Sequence, residues 1–117
     1  MLKVHNVDTG LNYETIQEAI NAPETLDGHI ISVETGTYHE NVVVNKTVSL
    51  VGENRETTII DGGALGSVMY VMADNVTIKG LTITNGSSKY SDGGIGIYSK
   101  SGCNITQNNI VNNYFGV

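Results

Sequence analysis

The chain has 117 residues, enough for one domain with a modest core. Twelve acids against six bases give a net charge of −6, and a lone arginine, Arg55, offers no clustered phosphate-binding surface, so no nucleic-acid partner is expected. One cysteine, Cys103, excludes an internal disulfide and a cysteine-based zinc site, and no run of 18 apolar residues exists to span a membrane as a helix.

Residues 1–12 read as a lead-in in which Leu2 and Val4 suit an edge strand. Residues 13–22 are the one helical segment, because Ile16, Ala19 and Ile20 recur at i, i+3 and i+4 as a narrow apolar stripe. Thr15 and Glu18 have capping-box spacing, and Asn12 is an equal candidate for the N-cap. Pro23 ends the helix, since the residue before a proline avoids the helical region. So short a helix needs a surface to lie on, and the open end of a solenoid supplies one. Residues 29–33 predict a strand and residues 35–38 a turn. Further strands are expected over 41–45, 46–51, 57–61 and 68–72, with polar corners at 52–56, 62–63 and 74–75. Val76 and Ile78 alternate with Thr77 and Lys79, Gly80 bends the chain into Leu81 and Ile83, and a longer loop covers 85–93.

The final stretch, 94–117, indicates the architecture. Gly94-Ile95 opens it and Gly116-Val117 reopens it 22 residues later, with short apolar pieces between corners rich in Asn, Ser and Gly. A period of this size marks a solenoid. Ile78 and Ile83 superpose on Ile105 and Ile110 at a shift of 27, and Val48 to Gly52 superpose on Val76 to Gly80 at a shift of 28. The excess over 22 fits an outward bulge of loop 85–93. The chain therefore reads as all-β, a single-stranded parallel β-helix of about three turns. Residues 1–28 form the N-terminal cap and 29–117 the turns. The acids concentrate at the front: ten lie in residues 1–61 and two in 62–117. An uncovered last turn would expose unpaired edges and an apolar core. The sequence is thus expected to be the N-terminal part of a longer protein, or else to self-associate end to end through its C-terminal turn.

Tyr13-Glu-Thr-Ile-Gln-Glu-Ala-Ile20, Gly36-Thr-Tyr-His-Glu40-Asn-Val-Val-Val44 and Val51-Gly-Glu-Asn-Arg-Glu-Thr-Thr-Ile-Ile-Asp-Gly62 resemble the N-terminal part of right-handed parallel β-helix proteins of the pectin-lyase-like type. The similar proteins are surface-layer and secreted proteins of methanogenic archaea and the β-helix of periplasmic copper-insertion proteins. Gly36-Thr-Tyr-His-Glu40 also matches the Gly-x-Tyr-x-Glu motif near the front of pectin methylesterases. The catalytic aspartates, arginine and glutamines of that family lie on later turns, and its Gln-Asp and Asp-Phe segments have no counterpart here. The resemblance implies the fold and an extracellular or cell-envelope location, with a signal sequence or upstream domain before Met1. It carries over the cap and first-turn motif and no catalytic residue.

Asp61, Asp74 and Asp92 are the aspartates of the turns. Glycan hydrolysis needs two carboxylates at a defined separation, whereas Asp61-Gly62 and Asp74-Asn75 sit where turn aspartates bond local backbone. Ser91-Asp92-Gly93 is faintly similar to a polygalacturonase segment whose companion segments are missing. His5, His29 and His39 all lie at the front, and Met69 and Met72 face opposite sides of one strand, so no metal or cofactor is expected.

Asn75 and Asn104 read as equivalent corners, and Asn109 and Asn113 join them as structural asparagines that bond the backbone of a neighbouring turn. Asn45, Asn75, Asn85 and Asn104 each begin an Asn-x-Ser/Thr sequence, a glycosylation acceptor, with Asn85 favoured by its loop position. Tyr90 and Asp92 in the long loop, with Tyr98 and Tyr114 at corners of the last turn, form a candidate sugar-binding strip, because a sugar ring pairs an apolar face with polar edges. The expected function is a non-catalytic structural or cell-surface module whose partner is a polysaccharide or envelope glycan. The alternatives are the N-terminal part of a carbohydrate-active enzyme (lyase, hydrolase or esterase) with catalytic turns beyond Val117, and a periplasmic copper-delivery scaffold.

Overall fold

The computed structural model describes residues 2–86, 94–97, 100–113 and 116–117, with Ile97 by its backbone. The chain opens with β1 (Val4–Asn6), β2 (Asn12–Tyr13) and α1 (Ile16–Asn21). Three short strands then recur per coil. The first coil holds β3 (Ile30–Val33), β4 (Gly36–His39) and β5 (Val42–Val44), and the second β6 (Ser49–Gly52), β7 (Thr58–Asp61) and β8 (Met69–Val71). The third holds β9 (Thr77–Lys79), β10 (Thr82–Thr84) and β11 (Ile95–Ile97), and β12 (Asn104–Thr106) and β13 (Asn109–Val111) begin a fourth. Equivalent strands stack as three parallel sheets, β3-β6-β9-β12, β4-β7-β10-β13 and β5-β8-β11. This is the β-helix that the repeat predicts.

Alternation places every second side chain inside. Ile31, Leu50 and Ile78 stack in one inward column that continues into Ile105, and Tyr38, Ile60 and Ile83 stack in another that continues into Ile110. Val42, Met69 and Ile95 make a third. All but Ile105 and Ile110 in these columns are buried. The observed registers are the shifts of 27 and 28 read from the sequence.

Residues 36–39 form a strand, where the sequence predicts a turn. The Thr-Gly-Thr composition suggests a bend, but the chain there pairs with β7 and turns Tyr38 into the core, so the ladder overrides local preference. The Tyr38 hydroxyl donates to Glu34 O at 2.6 Å, which satisfies its one polar atom.

The helix is shorter than 13–22 because Asn12 and Tyr13 pair with β1 instead. Thr15 is the N-cap: its hydroxyl accepts from Glu18 N at 3.1 Å, and the chain leaves the helix at Ala22, before Pro23. Ile16, Ala19 and Ile20 are fully buried at the front of the coil, against β1, β3 and β5. Three side chains fasten the helix there. The Glu40 carboxylate accepts from Ile16 N (2.9 Å) and Gln17 N (3.0 Å), first-turn amides that lack helical partners. The Gln17 amide accepts from Val43 N (2.7 Å) and donates to Val43 O (3.0 Å), so it closes the free edge of β5 as another strand would. Lys46 Nζ donates to Ala22 O (2.9 Å) and Thr25 O (2.8 Å) just past the helix. β1 runs antiparallel beside β3 and closes that sheet's front edge.

Adjacent coils pack closely at Gly52 and Gly80. A Cβ on Gly52 would lie 2.0 Å from Gly80 O, and Gly80 itself has φ +74°. Gly52→Ala is therefore expected to destabilise the chain by about 1–3 kcal/mol, read as a lower urea midpoint with an unchanged m-value.

Glu40→Ala removes both acceptors from the helix start. Its expected cost is about 1–2 kcal/mol in the same unfolding measurement, the low end for a half-exposed carboxylate.

His5 adds a pH term. Its Nδ1 donates to Asn12 Oδ1 at 2.5 Å and its Nε2 to the Glu34 carboxylate, and these two bonds, Asn12 first, raise its pKa above 6.5. Both ring nitrogens face acceptors, so the charged form is favoured. The stabilisation is complete below the unfolded value of 6.5 and fades as pH rises through the higher folded value. Stability measured against pH should fall across that window, and His5→Gln should remove the fall.

Candidate functional site

A depression among the described residues lies on the outward face of the β3-β6-β9-β12 sheet. Val51 and Lys79 are side by side in register, and Thr106 lies beside Lys79 on the next coil. The corner that follows carries Gly52, Gly80 and Gln107. Val51, Gly52, Glu53, Arg55, Lys79, Gly80 and Gln107 line a depression of about 410 Å³. Its floor is backbone, because the close-packed glycines carry no side chains there, so a ligand can approach the main chain.

Two cations flank this floor. Arg55 Nε lies 3.6 Å from Glu56 Oε1, an exposed pair that water screens. The Glu53 carboxylate accepts from Thr35 N at 2.9 Å and is partly occupied by that bond. Lys79 is exposed and has no carboxylate within ion-pair distance among the described residues. The backbone amides there are used between coils, Gly80 N donating to Gln107 O (3.2 Å) and Glu53 N to Val33 O (2.9 Å), so the lysine and arginine are the donors that suit a carboxylate or a sugar hydroxyl. Sequence reasoning missed this site. The Gly52–Gly80 match at a shift of 28 was its only signal, and it read as a corner.

Tyr90, Asp92, Tyr98 and Tyr114, the strip expected to hold sugar, lie outside the described residues. Asp61 bonds local backbone as a turn aspartate does, whereas Asp74 bonds the next coil instead. Asp61 Oδ1 accepts from Gly63 N (2.8 Å) and Asn85 Nδ2 (2.8 Å), which hold its carboxyl below the usual range. Asp74 Oδ1 accepts from Ser101 N at 2.9 Å, on the next coil.

The asparagines divide differently from the expectation. Asn104 is not the partner of Asn75: the register sets Asn104 beside Thr77, and Gly102 stacks on Asn75. Asn75 and Gly102 share a left-handed backbone, at φ 58° and 73°, so the corner repeats a conformation that Asn and Gly both tolerate. Asn113 bridges coils, donating to Ile83 O (3.0 Å) and accepting from Gly86 N (2.7 Å). Asn108 does the same at the preceding corner, accepting from Leu81 N (3.1 Å) and donating to Ile78 O (2.9 Å). Asn109 only reaches Thr82 Oγ1 at 3.5 Å, from within β13.

The histidines are dispersed. His5 holds Asn12 and Glu34, while His29 Nδ1 accepts from Leu26 N (3.1 Å) and Asn6 Nδ2 (3.1 Å), and His39 is exposed on β4. Met69 is buried and Met72 is 44% exposed. No three His, Cys, Asp or Glu side chains converge on a metal-sized position among the described residues. No helix among them is long and apolar enough to cross a membrane.

The pectinesterase family profile matches residues 3–113. A cell surface glycoprotein of Methanothermus fervidus is 38% identical over 94% of this chain and 18% of its own length. Pectinesterase 2 of Citrus sinensis is 35% identical over 63% of this chain and 17% of its own length. Two solved structures superpose with a TM-score of 0.56 at 25% identity, covering 68% of this chain and 28% of theirs. One is a pectin methylesterase in complex with a hexasaccharide, and the other is the pectin methylesterase PemA from Erwinia chrysanthemi. The chain spans under a fifth of the length of the curated relatives it matches. The fold it shares with these structures is the right-handed parallel β-helix. By the reach of the profile along its length, this chain belongs to the pectinesterase family.

Proposed function

We propose that the chain is a non-catalytic cell-surface module of its family, which holds an acidic polysaccharide on the outward face of the β3-β6-β9-β12 sheet. The observation that carries this reading is the use made of the residues that resemble the esterase motif. Tyr38 is buried and bonded to Glu34 O, and Glu40 is bonded to the helix start, so both serve the fold. Among the described residues, Lys79 and Arg55 are the cations that line the depression. A polyanionic sugar chain laid along the coil would meet both cations. Extracellular placement is supported by the likeness to a cell surface glycoprotein.

A second reading has its own support. The family profile covers almost the whole chain, and the chain spans only a small part of each relative. It could therefore contribute the front coils of an esterase whose reacting groups lie elsewhere.

Calorimetric titration with polygalacturonate fragments separates the two. Binding should weaken about tenfold in Lys79→Ala, the loss of about 1.4 kcal/mol that one charge-assisted contact supplies, and should fall with added salt. Binding unchanged in Lys79→Ala and Arg55→Ala would remove the proposed face. Methanol released from methyl-esterified polygalacturonate by a longer chain that carries further coils, and not by this chain alone, would favour the esterase reading, whereas release by this chain alone would overturn the non-catalytic one.

A further inference from the structure

We propose that one edge of the coil is an N-glycosylation edge, with Asn45, Asn75 and Asn104 as acceptors on successive coils. The asparagines of this chain differ in how far the fold uses their side chains. Asn6, Asn41, Asn108 and Asn113 are tied down: Asn6 Nδ2 donates to Thr25 Oγ1 (3.0 Å) and Asn41 Nδ2 to Ser67 O (3.1 Å), while Asn108 and Asn113 bridge coils. Asn45, Asn75 and Asn104 are exposed, and their side chains make no hydrogen bond among the described residues. Asn112 also makes no side-chain hydrogen bond among the described residues, but it begins no acceptor sequence. The three others begin Asn-Lys-Thr, Asn-Val-Thr and Asn-Ile-Thr. Of the four asparagine side chains with no hydrogen bond among the described residues, three begin an acceptor sequence, while Asn12, Asn21 and Asn54 are held through Oδ1 and begin none.

Their placement is shared. Asn45 lies between β5 and β6, Asn75 between β8 and β9, and Asn104 opens β12. All three sit where the chain passes from the β5-β8-β11 sheet to the β3-β6-β9-β12 sheet. They do not form a single column. Ser49, Thr77 and Asn104 are aligned, so Asn75 stands two residues before that level and Asn45 four before it. Each coil therefore moves the acceptor about two residues sideways. At ~3.3 Å per residue and ~4.8 Å between strands, neighbouring attachment points are roughly 8 Å apart, well beyond the spacing of a straight column. In β12 the acceptor and its threonine, Asn104 and Thr106, are both exposed and flank the inward Ile105.

The fourth acceptor sequence, Asn85-Gly-Ser, is on a different corner, between β10 and β11. Its amide donates to Asp61 Oδ1 at 2.8 Å and so has a structural use. The order of preference is therefore the reverse of the one that loop position suggests.

The modification joins Nδ2 to the anomeric carbon of an oligosaccharide carried on a polyprenyl diphosphate. That carbon's bond to the diphosphate oxygen breaks, the polyprenyl diphosphate leaves, and the amide proton goes to it. In a cell this rests on the extracellular placement proposed above, because such donors serve chains that leave the cytoplasm. The test does not depend on location. The purified, folded chain is incubated with a single-subunit oligosaccharyltransferase and a polyprenyl-diphosphate oligosaccharide, then weighed intact and mapped by peptide mass. The expected result is up to three added oligosaccharides, at Asn45, Asn75 and Asn104 ahead of Asn85. Each of Asn45→Gln, Asn75→Gly and Asn104→Gln should remove one addition and leave the urea midpoint unmoved, glycine keeping the left-handed backbone at position 75. Thr106→Ala should abolish the addition at Asn104 while keeping the asparagine. A folded chain that stays unmodified, or one modified at Asn85 ahead of the three, would overturn the proposal.

Discussion

The structure depends on one constraint: each inward side chain must rest on its equivalent in the next coil. A strand of three or four residues buries too little to be stable alone. Stacked in register, Ile31, Leu50 and Ile78 shield one another, as do Tyr38, Ile60 and Ile83. Such a stack has ends, and an end exposes both apolar surface and unpaired backbone. At the front, α1 covers the apolar surface with Ile16, Ala19 and Ile20, while the Gln17 amide and β1 occupy the free edges. At the other end, Ile105 and Ile110 are half-buried where their equivalents one coil earlier are sealed.

This division explains where function can reside. Inward positions and the front clamp are fixed by packing and by backbone hydrogen bonds. The glutamate and tyrosine that give the chain its likeness to esterases belong to that fixed set. Outward positions of the same strands face solvent and can change without cost to the stack. Lys79 and Thr106 are outward neighbours of inward Ile78 and Ile105. A shared scaffold therefore says little about a shared reaction, since activity is set by the outward residues placed on it.

Much of this was legible in the sequence because the inward columns obey a simple rule. Alternating Val, Ile and Leu located the strands, and their shifts of 27 and 28 gave the registers. The helix stripe and its Thr15 cap were equally local signals. What escaped notice depends on neighbours far away in sequence. Residues 36–39 look like a turn until β7 lies beside them. Asn75 and Asn104 look alike because each shortly precedes an inward isoleucine, yet they stand two residues apart in register, and Gly102 holds the matching conformation. Asn108 and Asn113 cannot be told from Asn109 and Asn112 by composition. Only the two that face the previous coil find its backbone. The Lys79–Arg55 depression exists only because two glycine corners touch.

The claim that the recognisable front motif closes the coil is open to a direct measurement, amide hydrogen exchange resolved by residue in the unmodified chain. Ile16, Gln17 and Val43 are the informative amides. A first-turn helix amide and an edge-strand amide would ordinarily exchange quickly. With Glu40 and the Gln17 side chain as their partners, all three should exchange as slowly as the doubly paired strands β6 and β7. If they exchange at the rate of exposed corners while β6 and β7 stay protected, the front is not clamped as described, and the motif must be retained for another purpose.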